Sequence, residues 1–305
     1  MPMENKNKTV GHLIAMITIL IWGSTFIASK YMLGAFSPVQ IMTMRFIIAW
    51  SVLFLIKPRF VKPVLREELG FLLLGVFGCT LYFWCENTAL TLTYASNVSI
   101  IVATAPLLIS VLAHFFIRDE KFKPNLLIGF IVAFLGVALV VFNGSIVLKL
   151  NPVGDLLSFS AALCWAIYSI LLKRRLGKYD GFILTRKVMF YGFLTALPLL
   201  LIEGKPFRFE AFSDPIIIVC LVFLAVLGSG VCYVLWGMAS ERIGVVAAGT
   251  YIYVVPFVTM IAAYLFLKEK ISLMGIAGAV LIVSGILLCS NVRLIRRRHK
   301  ETISD

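Results

Sequence analysis

The chain has 305 residues, of which 61% are hydrophobic and only 14% charged, with a formal net charge of +13. Soluble domains run at roughly 45–50% apolar and about 25% charged, and a globule of this size cannot hide so much apolar surface from water. A mean hydropathy of +0.99 agrees, so a soluble enzyme, a disordered chain and a nucleic-acid-binding domain are excluded, and the basic excess reads as cytoplasmic loops of a membrane protein.

Ten apolar runs follow one another: about 12–33, 39–56, 70–90, 97–117, 125–142, 153–172, 182–202, 215–236, 244–267 and 272–290. A spanning helix needs roughly 20 such residues. The runs lack the period-2 alternation of barrel strands, so the expected class is all-α integral membrane with ten transmembrane helices. The first run carries Trp22, Ser24 and, near its far end, Lys30. It lacks a clear small-residue cleavage site and reads as a retained helix rather than a signal peptide. The second run carries Arg45, and the third Tyr82, Trp84, Glu86 and Asn87. The fourth holds Pro106 at mid-run and His114 one turn from its end, and the fifth has Gly129 and Gly136 on one face.

The sixth run begins the second half, with Trp165 and Tyr168. After the seventh, the eighth carries Tyr233 and Trp236, the ninth Pro256 at mid-run, and the tenth Gly278 and Gly285. The six cysteines (Cys79, Cys85, Cys164, Cys220, Cys232 and Cys289) all fall inside apolar runs, without zinc or disulfide spacing, and read as small buried residues. Short breaks such as Ser37-Pro38, Lys57-Pro58 and Asp214-Pro215 separate the runs, and none is long enough for a soluble domain.

With the N-terminus inside, nineteen Lys and Arg residues fall on that side in loops and tails, against five on the other. Both termini are therefore expected in the cytoplasm of a cell-membrane protein. The basic tail then serves as a topology anchor, with lipid binding as a secondary effect.

The chain also repeats itself. Trp22, Lys30 and Gly34 match Trp165, Lys173 and Gly177 at an offset of 143. Gly78, Ala89 and Pro106 match Gly228, Ala239 and Pro256 at 150, and Glu120, Gly129 and Gly136 match Glu269, Gly278 and Gly285 at 149. Five is odd, so a duplicated five-helix unit enters the membrane from the opposite side. The expected units are 12–142 and 153–290, an inverted repeat of the kind alternating-access transporters use, with cytoplasmic tails at 1–11 and 291–305.

These residues resemble a known family. The stretches that carry it are Ile21-Trp22-Gly23-Ser24-Thr25-Phe26, Thr43-Met44-Arg45-Phe46 and Ala89-Leu90 through Pro106 to Asp119-Glu120 in the first half, and Trp165-Ala166-Ile167-Tyr168, Trp236 through Pro256, and Lys268-Glu269 through Gly285 in the second. The pattern is similar to the EamA family of the drug/metabolite transporter superfamily. The resemblance implies ten helices, cytoplasmic termini, and a central cavity lined mainly by the first four helices of each half. It also implies outward movement of small metabolites, often amino acids or their derivatives.

Ionisable residues inside spans cost roughly 2.5–3.5 kcal/mol each at the membrane centre and mark functional candidates. Arg45 lies roughly 9 Å below the outer face at 1.5 Å per residue, and Lys30 and Glu86 come out at similar depth. Such a cluster could hold a zwitterion or relay a proton. Alternatively, Arg45 and Glu86 form a static pair while Lys30 snorkels. His114 reads as interfacial or packed. Trp22, Ser24, Tyr82, Trp84, Asn87, Trp165, Tyr168, Tyr233 and Trp236 are cavity-wall candidates, against interfacial belts or plain packing. Pro106 and Pro256 should kink or break their helices near the binding region. The glycine pairs should serve close helix packing. Glu120 and Glu269 should cap or pair with neighbouring lysines.

No Walker loop, H-E-x-x-H or G-x-S-x-G motif is present, so ATP-driven pumping and hydrolytic chemistry are not expected. No cofactor or metal is expected. The expected function is a secondary transporter of a small polar metabolite. The alternatives are a sugar-phosphate or nucleotide-sugar exchanger and, in a different class, an integral-membrane enzyme acting on lipid. The expected partners are the metabolite and the lipid bilayer, with no nucleic acid, and homo-oligomerisation is left open.

Overall fold

A computed structural model describes residues 2–59, 61–92, 95–117, 124–142 and 151–267, with 273, 274, 276–278, 280–282, 284, 285 and 288. Glu120, Glu269, Cys289, Lys149, Lys268, Lys270 and the basic tail lie outside the described residues. What is described is helical, and the protein is an all-α membrane protein.

The caps follow from sequence. Helix α1, Pro2–Met32, begins about ten residues before its apolar run, because proline is tolerated in a first turn and nothing up to Val10 breaks the helix. Helix α2, Pro38–Ile56, starts at a capping box in which Ser37 and Gln40 satisfy each other's backbone N–H groups. Helix α3 runs Leu65–Leu92. Two pieces, α4 (Ala95–Val102) and α5 (Ala105–Phe116), make up the fourth run, and α6 is Pro124–Phe142. Helix α7, Pro152–Lys173, is capped by Asn151, whose side chain accepts from the N–H groups of Val153 and Gly154. Helix α8, Gly181–Glu203, is capped by Asp180 and ends at Gly204, where φ is +59°. Helix α9, Pro215–Ile243, is capped by Asp214. The ninth run is α10 (Val245–Gly249), a 3₁₀ turn at Thr250–Val254, and α11 (Val255–Leu267).

Among the described residues, six helices are long and apolar enough to cross a membrane: α2, α3, α7, α8, α9 and the Asn7–Met32 part of α1. The fourth and ninth runs fall short of that length because each is interrupted. The breaks precede Pro106 and Pro256, which sit at the second positions of α5 and α11. A proline in a first turn leaves no helical bond of its own helix unmade, but it has no N–H for the carbonyl four residues back, that of Val102 or Ile252, and its ring crowds that carbonyl, so the ladder breaks there although Thr104 and Val255 keep helical φ and ψ.

Two further irregularities match across the halves. A π-helical turn widens α3 at Val76–Thr80 and another widens α9 at Phe223–Val231. They bracket the repeat-equivalent Gly78 and Gly228.

The buried apolar core runs continuously through residues of both halves. Helix α2 packs along α8, α1 along α9 and α11, and α3 along α7. The small-residue stripes bring backbones together: a Cβ on Gly136 would lie 2.6 Å from the Gly278 carbonyl, and one on Gly285 would lie 2.7 Å from that of Gly129. Polar ties join α2 and α8 at both ends. Lys57 pairs with Asp180 at 2.7 Å, and nearby Lys187 ties α8 to α3 through Glu68. At the other end Ser37 bonds Glu203 at 2.5 Å and Gln40 reaches the carbonyls of Lys205 and Pro206.

Candidate functional site

The two breaks and the two widened helices surround one cavity. Helix α1 contributes Trp22, Thr25 and Phe26, α2 contributes Arg45, and α3 contributes Tyr82, Phe83 and Glu86. Val102 and Ala105 flank the break between α4 and α5, Ile252 and Val255 flank the one before α11, and Trp165 and Tyr233 come from α7 and α9. The space open to water-molecule centres is about 60 Å³, room for a handful of waters at roughly 10–15 Å³ each. The walls are aromatic and aliphatic, with a few polar groups, the composition of a small-molecule site.

Arg45 and Glu86 both face this space, and they are 1% and 7% exposed. They do not meet: among the described residues no Arg45 nitrogen lies within 4.0 Å of a Glu86 oxygen. Each is held by something else. The Arg45 Nε donates to Ser229 Oγ at 3.2 Å, and its guanidinium lies 4.2 Å from the Phe83 ring centroid, a cation–π distance. Glu86 accepts a hydrogen bond from the Tyr82 hydroxyl at 2.8 Å. The site therefore presents a guanidinium and a carboxyl group to one small cavity, each oriented by its own neighbour. A ligand bearing both charges could satisfy both.

An aromatic cluster forms the floor. Trp22 lies edge-on to Trp165 with ring centroids 5.2 Å apart, and Tyr82 and Tyr233 lie 5.3 and 5.9 Å from Trp165. The π turns supply acceptors to this cluster. The Trp22 Nε1 donates to the Gly228 carbonyl at 2.9 Å, and the Tyr233 hydroxyl donates to the Gly78 carbonyl. Both bonds cross between the halves. Trp165 Nε1 is buried and has no hydrogen-bond partner.

The candidates named from sequence thus separate. Trp22, Arg45, Tyr82, Glu86, Trp165 and Tyr233 line the cavity. Trp236 is 1% exposed and lies behind them, 5.1 Å from the Trp22 ring. Tyr168 is 1% exposed and packs over Gly78. Asn87 is wholly buried, and neither amide atom has a partner. Ser24 donates to the Leu20 carbonyl of its own helix at 3.1 Å, and Trp84 is 37% exposed. Lys30 and His114 are exposed on the outer faces of α1 and α5. Lys30 is therefore not brought to Arg45 and Glu86, because α1 turns that position away from the bundle.

Sequence reasoning did not single out Thr25, Phe83, Ser229 or the aliphatic residues at the two breaks. Phe83 had a signal available, since it precedes Glu86 by three residues and so shares its helix face. Ser229 had none, because its reach to Arg45 depends on the π turn. No group of three or more His, Cys, Asp or Glu among the described residues could hold a metal ion.

Comparisons with known proteins agree with this architecture. The family described as the EamA-like transporter family matches residues 9–142 and again 152–291. A protein of Archaeoglobus fulgidus named an uncharacterized transporter is 29% identical, over 91% of this chain and 96% of its own length. A probable terminal-alkyne amino-acid exporter of Streptantibioticus cattleyicolor is 26% identical, over 94% and 95%. A probable amino-acid metabolite efflux pump of Salmonella typhimurium is 24% identical, over 95% and 97%. A solved crystal structure of 21% identity superposes with a TM-score of 0.77 over 95% of this chain and 98% of that one, which shows the shared fold.

Proposed function

The chain belongs to the EamA-like transporter family, and from that premise we propose that it is a secondary transporter working by alternating access. Its cargo is a small zwitterionic metabolite, an amino acid or a derivative of one, carried outward across the cell membrane. One observation carries this reading: Arg45 and Glu86 face the same cavity between the halves without touching each other. Buried opposite charges that leave each other unpaired are costly, and a bound carboxylate and ammonium would offset that cost. The names of the amino-acid exporter and the metabolite efflux pump point the same way. A sugar-phosphate exchanger would need several cations around its anion, and among the described lining residues Arg45 alone is cationic.

The ten-helix inverted arrangement belongs to the same proposal. The family matches the chain twice, the two helix breaks and the two π turns fall at repeat-equivalent places, and nineteen loop and tail cations fall on one side against five. A reporter fused after Arg175 should read cytoplasmic, and one fused after Lys205 should read external. The same side for both would sink the inverted topology.

The function is tested with purified protein in vesicles that contain no nucleotide. Vesicles preloaded with one unlabelled L-amino acid at a time should accumulate its labelled form by exchange, for at least one member of the twenty. A gradient of protons or sodium should drive accumulation if transport is ion-coupled. Exchange of a sugar phosphate with none of any amino acid, or a requirement for ATP, would refute the proposal.

A further inference from the structure

The repeat makes Trp22 and Trp165 equivalent at an offset of 143, and Gly78 and Gly228 equivalent at 150. Their hydrogen bonds are not equivalent. Trp22 Nε1 donates to the Gly228 carbonyl at 2.9 Å. Symmetry would have Trp165 donate to the Gly78 carbonyl. Instead that carbonyl accepts from the Tyr233 hydroxyl, and Trp165 Nε1 is left buried with no partner. Tyr233 has no hydroxyl counterpart in the first half, where position 83 is Phe.

The stranded donor is near the acceptor it lacks. Tyr168, one turn along α7 from Trp165, packs directly on Gly78. The rings of Trp165 and Tyr233 are 5.9 Å apart and nearly perpendicular. A buried N–H without an acceptor is unfavourable, so a rearrangement that gives Trp165 the Gly78 carbonyl has a gain to set against the loss of the Tyr233 bond and of the Trp22–Gly228 bond, whose donor takes the stranded role in turn. An inverted repeat supplies such a rearrangement, because its opposite-facing state exchanges the conformations of the two halves.

We propose that the Gly78 carbonyl is a shared acceptor, held by Tyr233 in the conformation seen here and by Trp165 in the opposite-facing one. This rests on the alternating-access reading above. Tyr233 and Trp165 are then positioning residues of the transport cycle, each stabilising one end of it.

The test measures conformational populations without ligand in lipid nanodiscs. Spin labels are placed at two exposed pairs, Arg59 with Lys178 and Lys30 with Phe209, in a background lacking the native cysteines. Distances are read by pulsed electron–electron double resonance in wild type, Tyr233→Phe, Trp165→Phe and the double variant. Wild type should show two populations. Tyr233→Phe should shift their ratio about three- to tenfold toward the second, the size of one buried hydrogen bond. Trp165→Phe should shift it by a similar factor the other way, and the double should return near wild type. Benzothienylalanine at position 165 removes the N–H at constant ring size, and should reproduce Trp165→Phe if the smaller ring disturbs folding. Two populations whose ratio ignores the single changes, or moves the same way in both, would overturn the exchange and leave the transport reading intact. A single population in all variants would overturn both.

Discussion

Neutralising either charge in the cavity should cut transport sharply and leave the protein folded. In Arg45→Gln and Glu86→Gln, exchange of the transported amino acid should fall about 10- to 150-fold, the range for losing one charge-assisted hydrogen bond of about 1.5–3 kcal/mol. Glu86→Gln is the cleaner variant, since its amide oxygen still accepts from the Tyr82 hydroxyl, bonded at 2.8 Å in the wild type. Arg45→Gln gives up the stacking on Phe83 at 4.2 Å and should lose somewhat more stability. The double variant decides between binding and scaffolding. If the two charges merely locked α2 to α3, each single change would strand the other charge in the membrane and lower abundance, and the double would restore both abundance and transport. The cavity geometry predicts the opposite: near-normal abundance throughout, and a double variant as inactive as either single. The measurement is exchange per folded molecule in reconstituted vesicles. Four equal rates would move the site away from these residues.

A methyl group at Gly78 should be far more damaging than one at the repeat-equivalent Gly228. A Cβ on Gly78 would fall 2.3 Å from Tyr168 Cδ2 and 2.8 Å from Cγ, in the face of the ring. The ring cannot retreat, because it is 1% exposed and sits 5.0 Å from Trp165 and 5.8 Å from Tyr233. Overpacking of this kind costs about 1–3 kcal/mol. Gly78→Ala should therefore lower the melting temperature and reduce the monodisperse yield in detergent. At Gly228 the nearest atom is Thr25 Cγ2 at 3.0 Å, a single methyl that can give a few tenths of an ångström, so Gly228→Ala should stay close to wild type. Combining Gly78→Ala with Tyr168→Leu should recover part of the loss by removing the ring. Equal tolerance at the two glycines would show that Tyr168 does not cover Gly78.

The difference between those glycines shows where a one-dimensional reading stops. Gly78 and Gly228 are equivalent in the repeat, and so are Tyr168 and Thr25 at an offset of 143. The sequence displays both relations, yet it does not say that each glycine packs against the first helix of the other half. That contact fixes which glycine can accept a side chain.

Some properties are set by local composition and spacing alone, and those were legible. The membrane class follows from 61% apolar residues, because no globule can bury them. The duplication follows from recurring Trp, Gly, Pro and Glu positions. The interruptions of the fourth and ninth runs follow from Pro106 and Pro256, because a proline removes a backbone N–H and crowds the carbonyl four residues back whatever surrounds it. The candidate site was half legible: a buried Arg and Glu are unusual in any span, so Arg45 and Glu86 stood out. Which side of each helix faces inward was not legible. Successive residues on a helix point about 100° apart, in runs apolar on every side no stripe marks the inner face, and each π turn inserts one more residue and rotates all that follows. Tertiary structure alone therefore turned Lys30 outward, kept Arg45 and Glu86 apart on one cavity, and gave the Gly78 carbonyl to Tyr233 while leaving Trp165 without an acceptor.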